Sequence, residues 1–166
     1  MKAAIGLPTT LPGKDPVFPS GDAIAEMALS AETAGFDAVF VADHPFPTDE
    51  WLEGWGAHSP DPIVLLSMAA AATTRLRLLT MVLVLPYRNP FLTAKSLATL
   101  DLVSNGRLIA GVGTGYVKAE FQALGVSFEE RNELVDESIV MMKQAWTGRP
   151  IRAEGLHWQA EGNTLL

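Results

Sequence analysis

Apolar and polar positions fall in blocks along this chain, and the blocks keep a regular order. KAAIGLP is a short apolar run stopped by Pro8 and predicts a strand. After a loop rich in Pro and Gly, SGDAIAEMALSAETAG places Ile24, Ala25, Ala28, Leu29 and Ala31 on one helical face, with Ser20 or Asp22 as its cap and Gly35 as its stop. FDAVFVADH, β-branched and aromatic, predicts a second strand, and a long loop follows, PFPTDEWLEGWGAHSPDP. IVLLSMAAAATT predicts the next helix. LRLLTMVLVL predicts a third strand, apolar without alternation as in strands buried on both faces, and ended by Pro86. NPFLTAKSLATLDLVSNG carries Pro90 near its first helical position and Gly106 just past its end, the asymmetry of a helix. RLIAGVGTG predicts a fourth strand. The amphipathic FEERNELVDESIVMMKQAWTG ends at Gly148, and PIRAEGLHWQAEG predicts a hairpin turning near Gly155.

Strand and helix therefore alternate four times, with strands starting near Ala3, Asp37, Leu76 and Arg107. That order predicts an α/β fold with a parallel sheet and right-handed crossovers. Two architectures share it: an open doubly wound sheet, and a (β/α)8 barrel, which needs about 250 residues. The 166 residues have the length of one domain, read as a single unit over 1–166, and would supply only half of a barrel.

Composition narrows the function. Hydrophobic residues make up 48% of the chain, enough for a core. Twelve Lys and Arg against 19 Asp and Glu give a formal charge of -7, with no basic run that could follow a phosphate backbone, so nucleic acid is excluded as an expected partner. No window approaches a membrane span, and the apolar start is stopped at Pro8, too soon for a signal segment. Without cysteine there is no disulfide framework and no thiolate chemistry, and a cytoplasmic setting is the default.

GRLIAGVGTGYVKAEF sets Gly111, Gly113 and Gly115 at alternate positions. A dinucleotide fingerprint needs G-x-G-x-x-G at the first strand-to-helix turn; here the third Gly comes one position early, Tyr116 stands where Gly is needed, and the motif sits on the fourth strand. The Walker pattern fails as well. Glycines that let a strand bend or a neighbour approach, and glycines that admit a ligand, both remain open. Asp43 and His44 fall at the C-terminal end of the second strand, where parallel α/β sheets place catalytic groups, and imidazole is the side chain best matched to proton transfer near neutral pH. Asp43 capping loop amides and His44 packing under Pro45 and Phe46 is the structural alternative. His58 and His157 stand alone, and no His or carboxylate pair has metal-site spacing, so no metal is expected. Trp51 and Trp55 could wall an apolar pocket or pin the long loop. Arg75 and Arg77 enter the third strand at its stability end, Arg88 follows that strand on the functional side, and EERNELVDE reads as a solvated helix face.

FVADH, the segment LRLLTMVLVLPYRNPFLTAKSLATLDLVSNGRLIAGVGTGY and EFQALGVSFEERNELVDESIVMMKQAW together resemble the luciferase-like monooxygenase superfamily, and within it the coenzyme F420-dependent oxidoreductases. The resemblance covers nearly the whole chain. It implies the N-terminal half of a (β/α)8 TIM barrel, about four βα units plus a terminal hairpin. It also implies hydride transfer between a deazaflavin and a small organic substrate, with FMN and oxygen chemistry as the alternative, or a non-catalytic fragment or assembly subunit as another. By position, the family's Asp-His pair matches Asp43 and His44, with Asp43 at the deazaflavin and His44 as proton donor or acceptor. A non-prolyl cis peptide behind the ring falls at Met81-Val82, and the strand-four contact at Thr114 and Gly115, where a missing side chain admits the ring. Some members carry an acid after that Gly; this chain has Tyr116, with Glu120 nearby.

The chain ends where the family's second half would begin, and barrels commonly hold phosphate after strands seven and eight. The expectation is a truncated or split product whose open strand edges need self-association or a complementary C-terminal half.

Overall fold

Four of the apolar runs form one parallel sheet. The computed structural model describes residues 1–13, 17–54 and 56–165. In chain order it contains β1 (Ala4–Gly6), β2 (Leu11–Pro12), α1 (Gly21–Thr33), β3 (Ala38–Val41), α2 (Asp49–Glu53), β4 (Ala57–His58), α3 (Pro62–Ala72), β5 (Arg77–Thr80) and β6 (Leu83–Val84). A 3-10 turn at Leu85–Tyr87 leads to α4 (Pro90–Val103), β7 (Leu108–Ile109), β8 (Val112–Gly113), α5 (Lys118–Ala123), α6 (Arg131–Ala145), β9 (Ile151–Glu154) and β10 (Gln159–Asn163). The sheet runs β1-β3-β5-β7 with parallel neighbours, the order of successive βα units. The chain forms two compact units, Met1–Leu83 with Leu100–Val112 and Val84–Thr99 with Gly113–Leu166.

In the first unit the sheet has one covered face. Val39 and Leu78 are fully buried against Ile24 and Ala28 of α1 and Leu66 and Ala69 of α3. Alanines at 28 and 69 leave no bulk at the buried surface, which lets backbones come close. On the opposite face Phe40, Leu79 and Ile109 are only half-buried. Both faces are apolar, which is why no alternation shows in the sequence. Ser20 is the cap of α1, its Oγ accepting from the Ala23 amide at 3.3 Å, and Gly35 follows at φ +87°. Leu29, expected on the apolar face, is exposed: Ile24, Ala28 and Ala31 form the i, i+4, i+7 stripe, and residue 29 lies one step round from it.

Two predicted strands are broken. The third leaves the sheet after Thr80 and resumes at Leu83, and the fourth turns between Ile109 and Val112, where the Gly111 amide donates to the Ile109 carbonyl at 3.1 Å. The predicted long loop also holds structure: Thr48 caps α2, and β4 pairs antiparallel with β2, His58 opposite Leu11. These elements are too short for any periodicity to show them.

The turn from α3 into β5, residues 73–76, is gripped from both sides. Arg107, buried at the start of β7, donates to the Thr73 hydroxyl (2.8 Å) and to the carbonyls of Leu76 (3.0 Å), Ala70 (2.8 Å) and Ser104 (2.6 Å). Ala70 and Ser104 lie at the C-terminal ends of α3 and α4, whose last carbonyls have no partner within the helix. On the other side, Glu32 of α1 accepts from the amides of Thr74, Arg75 and Leu76, the last two at 2.7 Å. Burial alone would raise this carboxyl, but the amides of Arg75, Leu76 and Thr74 outweigh it and lower its pKa from 4.5 to about 2. A folded pKa below the ordinary value means a contribution fully present above pH 4.5 and lost as pH falls toward 2. Glu32→Gln should therefore lower the melting temperature at pH 7 and flatten its fall over that acid range. Parallel melting-temperature curves for the two proteins would refute this.

In the second unit the Trp146 indole N–H donates to the Ala94 carbonyl at 3.0 Å, tying the end of α6 to α4. The predicted hairpin is present as antiparallel β9 and β10. Its turn sits on Glu137 of α6, whose carboxylate accepts from the amides of Leu156 (3.2 Å), His157 (3.4 Å) and Trp158 (3.2 Å). The EERNELVDE face is thus not wholly solvated: its last residue holds a turn.

Candidate functional site

The C-terminal ends of β3 and β5 lie side by side in the first unit. Beyond Val41 the chain continues through Ala42, whose carbonyl accepts from the Ser59 hydroxyl at 2.9 Å, to Asp43, only 4% exposed. His44, half-buried, forms an isolated antiparallel bridge with Ser59, so the long loop folds back beside it. Pro45 and Phe46 are exposed. The Trp51 ring lies beside the imidazole, with centroids 6.0 Å apart and planes inclined at 34°. Trp51 stands in the first turn of α2, where its amide donates to the capping Thr48 hydroxyl at 3.2 Å. Trp55, paired with Trp51 in the sequence reading, lies outside the described residues.

On the neighbouring strand the Met81-Val82 peptide is cis, at the bond the resemblance named. The Met81 amide donates to the Val41 carbonyl at 2.7 Å, which sets this step two residues from Asp43 across the strand pair. Met81 and Val82 are 53% and 41% exposed, an apolar step next to the strand that leads into the buried Asp43 and the half-buried His44.

Thr114 and Gly115 belong to the second unit. Gly115 has φ +76°, and a Cβ there would come within 2.7 Å of Val84 and 3.0 Å of the Phe121 ring. Packing and backbone conformation alone thus require glycine at this position. The Thr114 hydroxyl lies 3.5 Å from the Gly115 carbonyl. Tyr116 is 65% exposed, whereas Glu120 is buried and accepts from the Tyr87 hydroxyl at 3.0 Å. Among the described residues no three His, Asp or Glu side chains are grouped to hold a metal ion, and no helix is long and apolar enough to cross a membrane.

Sequence reasoning passed over Glu32, Arg107 and Glu137, whose partners are local to no motif. Arg107 did carry one signal, a cation at the first position of an apolar strand, where a guanidinium must find several acceptors if it is buried.

The chain is 36% identical over 146 residues to an F420-dependent glucose-6-phosphate dehydrogenase of Kineococcus radiotolerans, covering 86% of this chain and 42% of that protein. A second protein of that name, from Amycolatopsis mediterranei, is 34% identical over 140 residues, 82% of this chain and 41% of its own length. Among solved structures, a monooxygenase from Streptomyces bottropensis is 31% identical with a TM-score of 0.83, over 100% of this chain and 49% of that one. An F420-dependent secondary alcohol dehydrogenase bound to an F420-acetone adduct is 28% identical with a TM-score of 0.77, over 99% and 48%. The chain thus spans less than half the length of the relatives it matches. A model of the luciferase-like monooxygenases matches residues 1–166 from end to end. With the parallel strand order and the strand-end geometry, these matches lead to one conclusion: the chain belongs to the luciferase-like monooxygenase family.

Proposed function

We propose that this chain holds the ring of coenzyme F420 at the ends of β3 and β5 and serves in hydride transfer between that ring and a small hydroxyl-bearing or carbonyl substrate. The observation that carries the reading is the Met81 amide bonded to the Val41 carbonyl, which sets the exposed apolar step of Met81 and Val82 beside Asp43 and His44. A flat heterocycle has apolar faces and polar edges, and this surface offers both kinds of partner. Relatives that bear F420 in their names support the choice of coenzyme.

When bound, the deazaflavin supplies the hydride acceptor or donor. Asp43 would orient the ring edge by accepting hydrogen bonds from it. Met81 and Val82 would support the ring face and keep water from it. His44 would move the proton: in the oxidising direction its imidazole would accept the substrate O–H proton as the carbonyl forms, and in the reducing direction it would return that proton. Trp51 holds the imidazole on one side. The likeness to a monooxygenase at 31% identity favours a second reading, oxygen as co-substrate, for which we propose FMN as the coenzyme.

Titration of the purified chain with F420 and with FMN, followed by absorbance and fluorescence, should give saturable binding of F420 and much weaker binding of FMN. The reverse preference selects the second reading, and no binding of either sinks both. We further propose that the half-covered sheet, with β1 and β7 at its edges, pairs with a second copy or a complementary half. Light scattering on the same samples should give a mass above one chain if a second copy fills this role; a monomeric cofactor-bound species would overturn self-pairing, and a monomer that gains no mass with an added C-terminal half would overturn the other.

A further inference from the structure

One carbonyl brackets the Met81-Val82 step. The Gly111 oxygen, just beyond β7, accepts from the Thr80 hydroxyl at 2.7 Å and from the Leu83 amide at 2.8 Å. These donors belong to the two residues that flank Met81 and Val82. A carbonyl has two lone pairs, and both are engaged here. Burial follows the same pattern: Thr80 and Leu83 are fully buried, while Met81 and Val82 between them are exposed. Position 111 has no room for a side chain, since a Cβ there would fall on the Thr80 carbonyl oxygen. The step is thus pinned at both ends to the next strand and at its first amide to Val41 on the strand before.

We infer that Thr80 is a positioning residue for the ring surface, its hydroxyl fixing the Met81-Val82 step through the Gly111 carbonyl. This rests on the proposed ring site. In Thr80→Val the Gly111 oxygen keeps the Leu83 amide as a donor, so no buried acceptor is left without a partner, and the side chain keeps its shape. What the variant loses is one of the two pins that tie the step to the Gly111 carbonyl.

The test compares wild type, Thr80→Val and Thr80→Ser in the full chain, by F420 titration, by hydrogen exchange at the Leu83 amide without coenzyme, and by thermal melting. Thr80→Val should bind F420 about tenfold more weakly, exchange faster at Leu83, and melt close to wild type. Thr80→Ser, which restores the hydroxyl, should recover both affinity and protection. Equal F420 affinity in wild type and Thr80→Val overturns the inference while leaving the ring site standing. A loss of affinity in Thr80→Val that Thr80→Ser does not recover assigns the effect to shape and also overturns it. Failure of the wild-type chain to bind F420 overturns the ring site itself, and the positioning role with it.

Discussion

Arg107→Met should lose about 3–5 kcal/mol of unfolding free energy, among the largest effects of any single substitution in the first unit. The loss comes from what is left behind. Methionine fills much of the volume but donates nothing, so the Ala70, Leu76 and Ser104 carbonyls and the Thr73 hydroxyl lose a charged donor in a buried place. Water cannot readily replace it, because Arg107 is only 9% exposed. Arg107→Lys should recover part of the loss: an ammonium has three donors around one nitrogen and cannot match a fork that reaches four acceptors on three segments. Urea unfolding of the three proteins measures this, and a midpoint for Arg107→Met close to wild type would show that the network contributes little.

His44→Asn should lower turnover about a hundred- to ten-thousand-fold under the proposed function, with F420 affinity nearly unchanged. Asparagine keeps a polar group of similar reach but cannot take up or release a proton near neutral pH. Asp43, Met81 and Val82, which would hold the ring, are untouched, so binding and chemistry should separate in the data. Stopped-flow single turnover with a hydroxyl-bearing substrate reads the chemical step, and coenzyme titration reads the binding. Full turnover in His44→Asn would remove His44 from the proton path, and a parallel loss of affinity would recast it as a binding residue.

What the chain revealed in one dimension was set by local chemistry. Helix ends were readable because they rest on caps and breakers: Ser20 before α1, Pro90 opening α4, and Gly35, Gly106 and Gly148 at positive φ after their helices. The parallel order followed from the alternation of strand and helix runs. Asp43 and His44 stood out because they end an apolar strand. The cis bond was legible only through family resemblance, since no propensity of Met or Val points to it. The breaks in the third and fourth strands were hidden because Met81 and Val82 are as apolar as the Leu83 and Val84 that follow them, and what separates them is a hydrogen bond from the Thr80 hydroxyl to Gly111, 31 positions away. Glu32 lies 42 to 44 positions from its amides, and Arg107 lies 31 to 37 from three of its acceptors. No window of sequence contains both ends of such a contact.

Loops that join a helix to the next strand ordinarily tolerate added residues, because they run over the surface with few obligations. The turn at residues 73–76 does not share that freedom. Glu32 fixes its amides and Arg107 its hydroxyl and last carbonyl. An extra residue would move one set out of register with the other, whichever side it entered. Among related chains of different lengths, insertions should therefore gather elsewhere, and this short turn should keep its length even where its residues change.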